Sequence, residues 1–226
     1  MILYKYRSLQ NLNRVIDILH YSQLHCARYL DLNDPFEGIF SAAIHIPPHE
    51  RVKFPFFLLP ETYTLTKSID DLFLSSKDSV RICSLSSSLS EVRLWSHYAD
   101  GNRGIALEID FSGMEDSIHE VKYSEELPSY GYTILTAPSA IEVLTHKTTH
   151  WSYESEFRII NGEEYFDIKD RLKAIYVGSR IKDIHLALLD KMKRSDIPII
   201  HTEIDPKKVE IRAKKSTEQG NAADRL

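Results

Sequence analysis

Two short stretches of this chain concentrate the side chains that hold ions and move protons. The later one reads Trp151-Ser152-Tyr153-Glu154-Ser155-Glu156-Phe157-Arg158. Written as an extended strand, it puts Trp151, Tyr153 and Phe157 on one face and Glu154, Glu156 and Arg158 on the other, because successive side chains alternate. Neighbouring carboxylates repel, so one of the pair is expected to titrate high, with Arg158 relieving part of that repulsion. Glu156 and Glu154 are therefore candidate catalytic groups, able to position a hydroxyl or stabilise a cationic transition state. Without a function, the same residues make a surface ion-pair ladder of small energetic worth.

The earlier stretch is Trp95-Ser96-His97-Tyr98-Ala99. On a helix, Trp95 and Tyr98 share a face and His97 projects elsewhere. An imidazole there can bond a ribose or phosphate, or carry a proton near neutral pH. The plainer alternative is a half-buried helix whose histidine bonds a backbone carbonyl. Two further segments can bind ligands. In Tyr4-Lys5-Tyr6-Arg7-Ser8, Arg7 ends a predicted strand beside a predicted helix N-terminus, and both attract anions. In Asn33-Asp34-Pro35-Phe36-Glu37, a turn set by Asn, Asp and Pro presents polar groups that suit a sugar hydroxyl.

Several familiar sites are missing. No GxGxxG, GxxxxGK[ST] or GxSxG pattern occurs. His146 and His150 stand four apart, yet Lys147, Thr148 and Thr149 fill the interval and no further ligands accompany them, so no metal site is expected.

The elements that must position these residues follow from periodicity. Strands are predicted over Ile2–Tyr6, Val80–Leu85, Gly104–Asp110, Val121–Tyr123, Glu156–Ile160, Tyr165–Ile168 and Ala174–Val177, with Leu24–Leu30 extended. Helices are predicted after a Ser8 N-cap (Leu9, Leu12, Ile16 and Leu19 at helical spacing), over Glu91–Ala99 after Ser90, near Ser139–Lys147, and over Asp183–Arg194 with Ile184, Leu188, Leu189 and Met192 on one face. Ile197–Ile204 and Val209–Arg212 should close as a hairpin around Asp205-Pro206. Pro47–Pro60 holds four of the nine prolines and suggests an irregular excursion. Irregular strand spacing broken by helices gives an α+β class: one domain over 1–213 with a mixed, mostly antiparallel sheet flanked by helices, and a disordered tail over 214–226.

Composition is that of an ordinary globular protein, with 226 residues, 42% hydrophobic and 27% charged. A formal net charge of −5 argues against an extended nucleic-acid stripe. Lys191, Lys193 and Arg194 form a local basic cluster, which as plain structure is a solvated helix end. The longest apolar run, Phe54–Pro60, is broken by prolines, so no membrane span is expected. Cys26 and Cys83 lack ligand spacing, which suits reduced thiols and a cytoplasmic location.

Taken in order, Leu3–Arg7, Leu32–Glu37, Cys83–Ser86, Leu94–Ala99, Gly104–Glu108 and Trp151–Arg158 resemble the bacterial domain-of-unknown-function family 2971, over about residues 3 to 178. More distantly, the opening strand–Arg–helix, the serine-bearing strand and the late Glu-x-Glu are similar to ADP-ribosyltransferases of the arginine–serine–glutamate type. That similarity implies an ADP-ribosyltransferase-like fold and NAD as co-substrate. It implies that Arg7 holds the NAD phosphates or ribose and that Ser84 or Ser86 supports the nicotinamide pocket. Glu156, with Glu154, would act at the reacting carbon. His97, Tyr6, Trp95, Tyr98, Tyr153, Arg158 and Asn33 would complete the pocket. The acceptor would be a protein or nucleic acid, as for a toxin or anti-phage effector. The long interval from Arg7 to Ser84 departs from that pattern, and Arg81 competes for the arginine role. Two other readings stand beside it. One is a non-catalytic nucleotide- or nucleic-acid-binding regulatory module. The other is a metal-dependent nuclease using Glu37, Glu154 and Glu156. Convergence of Arg7, His97 and Glu156 on one pocket would favour the transferase.

Overall fold

Alternation in Ile2–Arg7 produces the first strand, β1, with Leu3 fully buried on one face. A computed structural model describes residues 1–45, 62–68, 80–132 and 138–214. The excursion expected over Pro47–Pro60 lies outside these residues, as does the tail beyond Lys214. Helix α1 spans Leu12–Leu19 and follows Asn11. It does not start at Ser8, whose hydroxyl instead accepts from the Gln10 N–H in a local turn.

The stretch expected to be extended over Leu24–Leu30 divides into β2 (Gln23–His25), β3 (Ala27–Arg28) and a 3-10 turn over Tyr29–Asp31. Strands β4 (Ile39–His45), β5 (Thr62–Ser68) and β6 (Arg81–Ser86) follow. Helix α2 covers Val92–Tyr98 and is capped by the Glu91 carboxylate accepting from Arg93 N–H, not by Ser90. Next come β7 (Ile105–Asp110), β8 (His119–Glu120), β9 (Lys122–Ser124) and β10 (Ser129–Tyr132). Helix α3 is shorter than expected, Ala140–Leu144 with a Ser139–Glu142 capping box. His146 and Lys147 then lie on β11 (His146–Thr148).

The remaining strands are β12 (Glu156–Asn161), β13 (Tyr165–Asp167), β14 (Leu172–Val177), β15 (Ile199–Asp205) and β16 (Glu210–Ala213). Helix α4 (Asp183–Met192) buries Leu189 and packs Leu186 and Met192 on the core, while Ile184 is exposed. The expected closing hairpin is present as antiparallel β15–β16. No helix among the described residues is long and apolar enough to cross a membrane.

The class is α+β with a mixed, mostly antiparallel sheet. Its order is β16-β15-β14-β7-β1-β6-β12-β8, with β3 also pairing β6 and only β14–β15 parallel. One face carries the main core, including Leu3, Cys83, Leu107, Ile159 and Ile175. The other carries two smaller clusters. Tyr6, Leu94, Trp95, Ala99 and Ala106 form one; Phe40, Ile82, Val143 and Leu144 form the second. Cross-strand register places Ser86 opposite Glu156 and Ser84 opposite Arg158, so a polar strip separates the two clusters.

The central pairing is incomplete. β1 matches β7 over six consecutive residue pairs, but it meets β6 only at Tyr4–Ser86. Beyond that bridge the two strands part. Lys5 Nζ donates to the Ser84 carbonyl at 2.5 Å, bonding a backbone acceptor that faces β1. The end of β1 is held by the turn after α2. A Cβ on Gly104 would meet the Arg7 carbonyl oxygen at 2.3 Å, so only glycine lets the two backbones approach.

Candidate functional site

The parting of β1 and β6 opens a cavity of about 260 Å³. Tyr4, Lys5, Tyr6 and Arg7 line it from β1, Ser84 and Ser86 from β6, and Glu156 and Arg158 from β12. Tyr98 from α2, Asn33 and Lys147 join them, with Glu154.

Glu154 does not arrive by strand alternation as expected. Thr149–Glu154 forms a 3-10 turn, and Ser155 takes a left-handed conformation (φ 42°, ψ 52°) before β12 begins. That kink turns both Glu154 and Glu156 into the same cavity. Ser86 fixes the kink by donating its hydroxyl to the Glu154 carbonyl at 2.6 Å.

The carboxylates belong to one buried network. Asn33 Nδ2 donates to Tyr98 Oη at 2.8 Å, and Tyr98 donates to Glu154 Oε1 at 2.5 Å. Lys147 Nζ lies 2.7 Å from both Glu154 Oε2 and Glu156 Oε2. Arg158 Nε donates to Glu156 Oε1 at 2.8 Å, and its terminal nitrogens reach Glu37 at 2.6 and 2.8 Å. Three carboxylates (Glu37, Glu154, Glu156) against two cations (Lys147, Arg158) leave one net negative charge.

Glu156 shifts in the direction opposite to that of a repelled carboxylate. Burial opposes the charge on Glu156, but Arg158 and Lys147 outweigh it and push its pKa down to about 2. Lys147 is shifted upward, burial being outweighed by Glu156 and Glu154. The signs differ for stability. A carboxylate depressed on folding stabilises above the pKa of the unfolded chain, and that stability is lost as pH falls through the folded value. A raised lysine stabilises below its unfolded pKa, and that stability is lost only in strong alkali. The unfolding midpoint in urea should therefore fall as pH drops below about 5 toward 2. The slope should be shallower in Glu156→Gln, since that variant has no proton to take up there.

Arg7 is the opposite case. Among the described residues its guanidinium makes no hydrogen bond or ion pair, and its Nε is buried without a partner. Burial lowers its pKa. A half-buried guanidinium whose Nε is buried without a partner beside a cavity is a costly arrangement that an anion would relieve.

The cavity gathers Arg7, Tyr6, Ser84, Ser86, Tyr98, Glu154, Glu156, Arg158 and Asn33. Three anticipated residues lie elsewhere. His97 is exposed, about 100° round the helix from Tyr98. Trp95 is fully buried; its indole donates to the Leu89 carbonyl at 2.7 Å, and its ring meets Tyr6 edge-on at 5.3 Å. Tyr153 sits on the outer side beneath Arg93, 4.1 Å from the guanidinium to the ring centre. The convergence looked for is therefore that of Arg7 and Glu156 without His97.

Lys147 and Lys5 were not anticipated. Lys147 is drawn in by the parallel β9–β11 pairing, which no local sequence signal announces. Lys5 was legible: Leu3, Lys5 and Arg7 alternate onto one face, and Leu3 marks that face as interior. Glu37, Glu154 and Glu156 converge, but on Arg158 and Lys147. Among the described residues no group of three or more His, Cys, Asp or Glu is arranged to hold a metal. The basic cluster near α4 is internally paired at Lys193–Asp190 and at Arg194 with Asp170 and Asp196.

Compared with protein-family models, curated proteins and solved structures, the chain matches none.

Proposed function

We propose that the cavity binds the nicotinamide–ribose–phosphate half of NAD and that the chain is a cytoplasmic ADP-ribosyltransferase acting on a macromolecule. The supporting observation is the cavity's two-ended charge. Arg7, without a partner among the described residues, stands on β1, and a network with one excess negative charge stands around Glu156. A cationic ring joined to a phosphate has this same polarity. The volume of about 260 Å³ falls short of the roughly 300–1,000 Å³ of whole-ligand pockets, so the adenylate half would extend outside. The order of these residues, distantly similar to that of ADP-ribosyltransferases, accords with the same reading. A toxin or anti-phage effector role accords with it.

NAD supplies a ribose carbon whose bond to nicotinamide breaks, the electron pair leaving with nicotinamide. An acceptor oxygen or nitrogen forms the new bond at that carbon, and its proton passes to water. Glu156 acts as a fixed anion beside the growing positive charge. A carboxylate held near pKa 2 is a poor proton acceptor at neutral pH, so its role is electrostatic. Tyr98, pinned by Asn33 and Glu154, offers the aromatic wall. Arg7 grips the phosphate.

Purified protein incubated with adenylate-labelled NAD and cell extract should release nicotinamide and transfer label, and the labelled fraction, protein or nucleic acid, gives the acceptor class. NAD left intact by folded protein in extract containing the acceptor would remove the transferase reading. A second reading is favoured by one observation: both glutamates are fully engaged by Tyr98, Lys147 and Arg158. The cavity would then bind a nucleotide without chemistry. Calorimetric binding with no nicotinamide release, preserved in Glu156→Gln, would establish it.

A further inference from the structure

The cavity contains two buried lysines held in opposite ways. Lys147 is clamped between two carboxylates. Lys5 is only 9% exposed, and its Nζ donates to a single neutral acceptor, the Ser84 carbonyl. Among the described residues no carboxylate lies within ion-pair distance of it. The charged and titratable groups around it are Arg7, Cys83 and Cys26. Burial lowers the Lys5 pKa, Arg7 reinforces this and Cys83 opposes it. The fold thus keeps an amine out of water with the Ser84 carbonyl and the Cys83 thiol beside it but no carboxylate to hold its proton.

Arg7 is two residues along the same strand and on the same face, roughly 7 Å away at the usual strand rise. Among the described residues its guanidinium has no hydrogen-bond or ion-pair partner. An amine and an anion receptor at that spacing suit a short molecule with a carbonyl at one end and a carboxylate or phosphate at the other.

We propose that Lys5 is a reactive amine that condenses with a small anionic carbonyl compound held by Arg7. The amine lone pair attacks the carbonyl carbon. The new C–N bond becomes an imine as the carbonyl oxygen leaves with the two amine hydrogens as water, so no oxidant or reductant is consumed. Buried lysines of this kind are the ones that form such adducts. The inference does not depend on NAD being the ligand, and its test contains none.

Folded protein at neutral pH is treated with glyoxylate or with acetaldehyde, each trapped by cyanoborohydride, and every lysine is mapped by peptide mass spectrometry. A lowered pKa raises the neutral amine fraction, so Lys5 should label with glyoxylate faster than the average surface lysine. In Arg7→Met the ratio of glyoxylate to acetaldehyde labelling at Lys5 should fall to that of the average surface lysine, a ratio in which any change in the amine's own protonation cancels. Lys5→Met should lose the fast adduct and keep the slow ones. Lys5 labelling in the wild type no faster than surface lysines overturns the proposal, and that measurement needs no variant to fold. Equal glyoxylate labelling of Lys5 with and without Arg7 overturns the role given to Arg7.

Discussion

Arg158→Met should lower the free energy of unfolding by about 3–5 kcal/mol, the cost of leaving a buried ion partner uncompensated. Arg158 is fully buried, and all five guanidinium N–H groups are used. They reach Glu156 twice, Glu37 twice and the Leu144 carbonyl once. Methionine fills much of the volume but leaves two carboxylates out of water, with only Lys147 still beside Glu156. Lysine is no remedy, since three donors from one point cannot replace a planar fork. Neutralising Glu37 as well, in Glu37→Gln with Arg158→Met, should recover part of the loss. Urea titrations of wild type, single and double variants at neutral pH measure all of this. A loss under about 1 kcal/mol would mean a solvated ladder and would contradict the buried network.

Arg7→Met should act with the opposite sign on stability. Here the wild type carries the unsatisfied group, and removing it should leave stability unchanged or raise it by about 1–3 kcal/mol. If the cavity takes NAD as proposed, the same change should weaken that binding by about 2–4 kcal/mol, roughly 30- to 1,000-fold, because a charge-assisted partner is lost. Thermal unfolding and titration calorimetry on one preparation give both values. A variant both less stable and equally able to bind would mean that Arg7 serves the fold. Gain of stability with loss of binding is the mark of a residue retained for its ligand.

The α+β class and most strands of the main sheet were legible, because the patterning of Ile2–Arg7, Gly104–Asp110 and Glu156–Ile160 is strong, whereas β4, β5, β8, β10 and β11 were not anticipated. Local starts were less so. Ser8 and Ser90 look like caps, but Asn11 and Glu91 precede the helices that form, since tertiary packing decides where each chain segment turns. Arg7 and Glu156 were both visible as chemistry-bearing residues. Trp95 and His97 were misplaced because a seven-residue helix turns only a narrow face to the cavity, and Leu94 and Tyr98 occupy it. Lys147 was missed because its burial comes from strands distant in sequence. The left-handed Ser155, which brings Glu154 round to meet Glu156, has no signature in its residue type.

The single bridge between β1 and β6 makes the main sheet two slabs meeting at a seam. One slab is fastened through β7 and carries Lys5 and Arg7; the other is fastened through β12 and carries Glu156 and Arg158. An occupant gripping both shores supplies the cross-tie that the backbone ladder omits there. Selection would then turn on span as much as on charge. A molecule too short to cross touches one slab alone, whereas one of the right length draws the halves into a single mechanical unit.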